Sequence, residues 1–131
     1  MRQGLFREKR KYARFCLDLP LEFRIKDLPD AFGGIVVDGS EGGLQILSRR
    51  ELPLGTKLSI SVLFPNGFEL ADFQAVGQIL RRIPLEKGEQ GYRYGLKIVM
   101  IEPRDRLKLR YTLSGLHDLG GEDALLTRPR L

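Results

Sequence analysis

Arg10 and Arg14 stand four residues apart in Arg10-Lys11-Tyr12-Ala13-Arg14, and about two dozen residues later the chain reads Asp38-Gly39-Ser40-Glu41-Gly42-Gly43. A guanidinium is a planar fork of donors that keeps its charge, so it grips phosphate bidentately. The same fork matches O6 and N7 of guanine. A spacing of four puts both forks on one side, one turn apart in a helix or roughly 13 Å apart on one parity of an extended chain. The second pattern adds a carboxylate that accepts N–H donors, a hydroxyl that serves either role, and a glycine turn whose backbone N–H groups form a concavity for an anion. Together these groups can hold a guanine nucleotide by its phosphates and base edges. Each pattern also has a plainer reading. The arginines fit a solvated basic tail, and Asp38 and Ser40 fit a turn in which they bond local backbone while the glycines supply positive φ. No phosphate-loop lysine follows, so the turn is no P-loop.

Charge is concentrated around the first pattern. Residues 1–14 hold Arg2, Arg7, Lys9, Arg10, Lys11 and Arg14 against Glu8, which accounts for the whole net charge of +5. The other 117 residues balance 16 basic against 16 acidic groups. A basic arm on a neutral body points to a local anion site. A chain of 131 residues is expected to build one core. Its longest apolar runs fall well short of the ~18 residues that span a membrane, and its charged start lacks a signal-peptide centre. A lone Cys16 excludes an internal disulfide and a cysteine metal cluster. The expectation is a cytoplasmic protein without membrane insertion.

The elements that must position these groups read mostly as strands. Phe15, Leu17, Leu19, Leu21, Phe23 and Ile25 alternate with polar residues, which predicts a strand with one buried face. Pro20 inside it calls for an edge position or a bulge. Leu28 to Gly34 reads as turn, Ile35-Val36-Val37 as a short strand ending at Asp38, and Leu44, Ile46 and Leu47 as the next. Leu58, Ile60, Val62 and Phe64 form a fourth, and Asn66-Gly67 predicts a type I′ hairpin. The return strand places Phe73, Ala75, Gly77, Ile79 and Ile83 on one parity. After a polar connection from Glu86 to Gly91 comes a strand with Tyr92, Tyr94, Leu96, Ile98 and Met100 on one side. Pro103 opens a helix to about Leu116, with Leu109, Leu113 and Leu116 on one face and Leu107 and Tyr111 nearly opposite. The second pair is either scattered surface apolar area or a partner surface. The pattern predicts a small all-β antiparallel barrel or sandwich closed by one C-terminal α-helix.

With both motifs in this order, the chain resembles the PilZ domain family, whose signature is RxxxR followed by a D/N-x-S-x-x-G turn. Arg10 and Arg14 match the first part, and Asp38, Ser40 and Gly43 the second. The likeness runs from about Glu8 to Leu113 and includes Tyr94-Gly95-Leu96-Lys97-Ile98 and the Pro-started helix. It implies a six-stranded antiparallel split barrel with a C-terminal helix. From charge and composition the chain is expected to divide into a flexible basic arm (1–14), a barrel with its closing helix (15–118) and a mobile tail (119–131). The likeness also implies cyclic di-GMP as the ligand, held by Arg10, Arg14, Asp38, Ser40 and Gly43. Arg7, Lys9, Gly42 and Arg81 are further candidate contacts. Lys9 occupies the position that the family links to binding one ligand molecule or a stacked pair, and lysine lacks the flat guanidinium that stacks on a base. Where some members stack an aromatic on guanine near Leu80 to Arg82, this chain offers Arg81 or Arg82 for a cation–π contact.

No catalytic constellation accompanies these motifs. His117, the one histidine, stands at the predicted helix end without Cys or His companions at metal-ligand spacing. Neither an enzyme, a metal nor a cofactor is expected. The leading expectation is a cyclic di-GMP receptor that changes conformation and signals to a downstream protein partner in motility, biofilm or exopolysaccharide control. The alternatives are a ligand-independent PilZ-like interaction module and, ranked below it, a barrel for single-stranded nucleic acid. Against the last, the chain has no Trp and no aromatic cluster on a basic face to stack successive bases.

Overall fold

The computed structural model describes residues 15–86 and 88–114, with the backbone alone for Phe15 and Cys16. Among the described residues six strands and one helix follow in order: β1 (Phe15–Ile25), β2 (Ala31–Gly39), β3 (Gly43–Ser48), β4 (Lys57–Asn66), β5 (Glu69–Pro84), β6 (Tyr92–Met100) and α1 (Pro103–Ser114). All strand pairs are antiparallel, and the sheet closes on itself in the order β1-β2-β3-β6-β5-β4. Closure follows from the alternation. Leu17, Leu21 and Phe23 of β1, Leu44 and Ile46 of β3, and Leu58, Ile60, Val62 and Phe64 of β4 are all buried, and a ring gives every such face the same interior.

The first strand matches its predicted span, and Pro20 sits where β1 pairs with β2 alone, beside a register shift between Cys16 and Leu19. The second strand corrects the reading. It begins at Ala31, inside the stretch expected to be a turn. Gly33 and Gly34 are strand residues, and a β-carbon on Gly34 would lie 2.7 Å from the Leu47 carbonyl oxygen of β3. Glycine here permits close approach of two backbones rather than a turn. The β4–β5 hairpin is also where expected, but its two loop residues are Gly67 and Phe68, between paired Asn66 and Glu69. Gly67 has φ +68°, and Phe68 keeps a negative φ, the type II′ pattern instead of type I′.

Three bulges shift parity along the strands, at Val37 in β2, Leu80 in β5 and Val99 in β6. Ile83 and Met100, both expected inside, are consequently exposed, at 48% and 57%. The helix starts as predicted. Arg106 N–H donates to the Glu102 carbonyl, making Glu102 the cap and Pro103 the first helical residue. Leu109 and Leu113 join the core while Leu107 and Tyr111 face outward. Leu116 and His117 lie outside the described residues. The helix docks where β6 ends, leaving one edge of β5 without a strand neighbour. Asp105 accepts the Gln74 N–H (3.1 Å), and Lys108 donates to the Asp72 carbonyl (3.1 Å), so helix side chains satisfy the open backbone groups. No helix among the described residues is long and apolar enough to cross a membrane.

Candidate ligand site

The bulge at Val37 decides where Asp38 points. Strict alternation would put Asp38 on the same face as Val36, which is fully buried. The inserted residue reverses this. Gly39 takes the inward position, where a β-carbon would meet Leu17 and Leu44, and Asp38 turns to the outer face opposite Gln45. Leu80 does the same for β5. Ile79 is buried, Leu80 is the extra residue, and Arg81 emerges outward opposite Gly95. Gln45 and Gly95 face each other across β3 and β6. Asp38, Gln45, Gly95 and Arg81 therefore form one row across β2, β3, β6 and β5. Three strand spacings make it about 14 Å long. The Arg81 side chain lies across Gly95, its Nε 3.5 Å from where a β-carbon would stand. A larger residue at 95 would displace that guanidinium.

Beside this row the Ser40–Gly43 turn closes on itself. Ser40 N–H donates to the Gly43 carbonyl (2.9 Å), Gly42 N–H donates to Ser40 Oγ (3.2 Å), and Ile98 N–H donates to the Gly42 carbonyl (3.0 Å). The N–H groups of Ser40 and Gly42, read from sequence as part of an anion-binding concavity, are thus engaged within the fold. What the turn presents outward is the Ser40 hydroxyl, whose own hydrogen remains a donor. Glycine is needed at 43 for clearance rather than for positive φ, because a β-carbon there would sit 2.5 Å from the Leu96 carbonyl oxygen. Glu41 is tied to the helix through Arg110 at 3.0 Å.

Ser40, Gly43, Gln45, Leu80, Arg81 and Gly95 line a shallow cavity of about 170 Å³. Larger depressions lie against Asp72 and Asp105, at about 420 Å³, and beside Phe32 and Leu47, at about 470 Å³. The smaller one is the candidate site because it combines a hydroxyl, an amide and a guanidinium on glycine-cleared backbone, with the Asp38 carboxylate in the same row. The chain enters this end of the sheet, since Phe15 pairs with Gly39 and Cys16 with Asp38. Arg14 is bonded directly to Phe15. Arg7, Lys9, Arg10 and Arg14 themselves lie outside the described residues.

One residue of the site, Gln45, escaped the sequence reading. Gln45 shares the outward parity of Gly43, two positions on, and its Oε1 accepts from Arg93 Nη1 at 3.1 Å. That two-residue spacing was the available signal. The geometry also separates the two candidate stacking arginines. Arg82 donates to the Leu52 carbonyl (3.1 Å), approaches Glu51 (3.7 Å) and lies over Tyr92 (5.6 Å), so it anchors a loop. The same loop is held by the buried Tyr94 hydroxyl, which donates to the Arg50 carbonyl and accepts from Leu52 N–H (2.8 Å). Burial pushes the Tyr94 hydroxyl above the usual tyrosine pKa of 10.0, against the lowering effect of the Leu52 N–H.

A ring of six antiparallel strands closed by a terminal helix, with a D-x-S-x-x-G turn at the mouth of its first strand pair, defines the class of module. A family model described as PilZ domain matches residues 8–114, and the chain belongs to the PilZ domain family. In structure it is similar to the Bacillus subtilis inhibitor of motility MotI/DgrA, with a TM-score of 0.68 and 14% identity over 92% of this chain and 54% of that one. It is also similar to the PilZ domain of Escherichia coli YcgR solved with c-di-GMP. There the TM-score is 0.59 and the identity 17%, over 80% of this chain and 88% of that one. A longer YcgR structure in complex with c-di-GMP gives a TM-score of 0.56 and 17% identity, over 79% of this chain and 43% of that one. The chain spans about half the length of MotI/DgrA. No match was found among curated proteins.

Proposed function

We propose that the chain is a cyclic di-GMP receptor that acts in the cytoplasm on a downstream protein partner, without catalysis of its own. The observation that carries this reading is the outer row Asp38–Gln45–Gly95–Arg81, assembled by two bulges next to the point where the RxxxR segment joins β1. Family membership supports it, as do the two YcgR structures with c-di-GMP. In this reading Arg10 and Arg14 hold phosphates and guanine edges, and Asp38 accepts the guanine N–H donors. Ser40 donates to the ligand, Gly43 keeps the backbone clear, and Arg81 stacks on a base. Arg7 and Lys9 are additional contacts, whereas the Gly42 N–H and carbonyl are already engaged within the turn; control of motility, biofilm or exopolysaccharide is the output class.

The cavity at the motif is smaller than the roughly 300 Å³ at which ligand pockets begin. A second wall is therefore needed, and the arm supplies it by closing over the bound ligand and presenting a new surface. Titration calorimetry with cyclic di-GMP tests the reading. The intact chain should bind, and Arg10→Ala and Asp38→Ala should each weaken binding at least tenfold (~1.4 kcal/mol) with the fold retained. A folded protein that gives no heat with the ligand would leave the second reading, a protein-interaction module. The exposed Leu107 and Tyr111 on α1 favour that alternative.

A further inference from the structure

We propose that Gln45, oriented by Arg93, makes this site select a 6-oxopurine over a 6-aminopurine; the assignment rests on the cyclic di-GMP reading above. A glutamine side chain carries one acceptor and one donor end, and when free to choose it reads adenine, accepting from N6 and donating to N7. Gln45 is not free to choose. Arg93 Nη1 lies 3.1 Å from its amide, and a guanidinium has five N–H donors and no acceptor. The amide atom facing Arg93 must therefore be the oxygen, whichever way the group is drawn. The NH₂ end is left for the opposite side.

That side is the candidate site. Gln45 lines the cavity with Ser40 and Arg81, and in the sheet register it stands between Asp38 and Gly95. A base stacked on the Arg81 guanidinium above Gly95 would turn an edge toward Gln45. The major-groove edge of guanine offers two acceptors, O6 and N7, and meets the amide donors favourably. Adenine offers N7 beside the N6 amino group, so its donor would face another donor and stay unpaired. The Arg93–Gln45 bond is exposed in the free protein, and a base laid over the row would exclude water from it, which strengthens it. Arg93 is thus a positioning residue that acts through Gln45.

Titration calorimetry with cyclic di-GMP and cyclic di-AMP on the full chain separates the possibilities. The unaltered protein should prefer cyclic di-GMP. Gln45→Glu keeps the bond to Arg93 but replaces the donor with an acceptor, and should cost cyclic di-GMP affinity roughly ten- to a hundredfold while affecting cyclic di-AMP less. Arg93→Ala frees the amide to rotate. It should lower cyclic di-GMP affinity only a few-fold, tighten cyclic di-AMP and narrow the ratio between them, and Arg93→Lys should restore part of that ratio. Both positions lie on the outer face, and thermal unfolding checks that each variant folds. Variants that keep the original ratio would overturn the Gln45 assignment alone. An unaltered protein that binds neither dinucleotide would overturn the receptor reading, and this inference with it.

Discussion

At Gly43 a β-carbon would stand 2.5 Å from the Leu96 carbonyl oxygen, and that oxygen is backbone in a paired strand with no room to yield. Gly33, by contrast, has open space on its outer face and an ordinary φ. The two glycines should therefore respond oppositely to alanine. Gly43→Ala is expected to destabilise by about 1–3 kcal/mol through overpacking, and Gly33→Ala to stabilise by about 0.4–1 kcal/mol through a stiffer unfolded chain. Urea midpoints at constant slope would show both. A harmless Gly43→Ala would return its role to ligand contact alone. Tyr94 offers a second residue-scale test. Its hydroxyl joins two backbone groups of the 49–53 loop, so Tyr94→Phe leaves a buried N–H and a part-buried carbonyl without their partner, at about 1–3 kcal/mol. Because burial raises its pKa, the folded state keeps its proton after the unfolded chain has released it. That contribution is complete below about pH 10 and is lost as pH rises past it. The gap between wild type and Tyr94→Phe in urea unfolding should shrink from pH 8 to pH 10.5; a constant gap would contradict the raised pKa.

Among the elements, the helix is attached to β5 by polar groups as much as by its leucines. Asp105 sits in the first helical turn, almost wholly buried, and accepts the Gln74 N–H that no strand reaches. Asp105→Ala should cost about 1.5–3 kcal/mol, the value of a hydrogen bond to a charged group. Asp105→Asn, which keeps an acceptor, should cost less, and hydrogen exchange at the Gln74 amide should speed up in the alanine variant first. Equal losses in both variants would mean that charge at the helix start, not the bond to Gln74, governs docking. Elements with complete alternation, such as β1 and β4, were legible in the sequence, as was the Pro103 helix start. The start of β2 was hidden because Gly33 and Gly34 carry no side chain to show a period. The bulges left no mark either, since one extra residue looks like any other in a pattern of two. Ile83 was placed inside for that reason, and the shared outward row of Asp38 and Arg81 could not be foreseen although both residues were named.

For the molecule as a whole, the charge distribution limits how much of the arm the proposed closure can include. Ordering a residue costs about 1–2 kcal/mol, so fixing 10–14 costs about 5–10 kcal/mol and fixing 5–14 about twice that. Two arginine forks making two charge-assisted bonds each return about 6–12 kcal/mol. Closure of 10–14 is therefore affordable on the arginines alone, while the stretch from Leu5 to Lys9 needs contacts beyond them. The barrel body is formally neutral and adds no general attraction for the arm. Protection from hydrogen exchange should then be graded when cyclic di-GMP saturates the protein. Amides of 10–14 should slow at least about tenfold, the effect of a closed state favoured by 1.4 kcal/mol, those of 5–9 should slow less, and residues 38–45 should gain protection together with 10–14. Arg10→Ala should remove the gain at 10–14 before it removes that at 38–45. Binding detected by calorimetry with unchanged exchange across 10–14 would mean that the arginines hold the ligand without the arm forming a wall, and the closure mechanism would fail while the receptor reading stood.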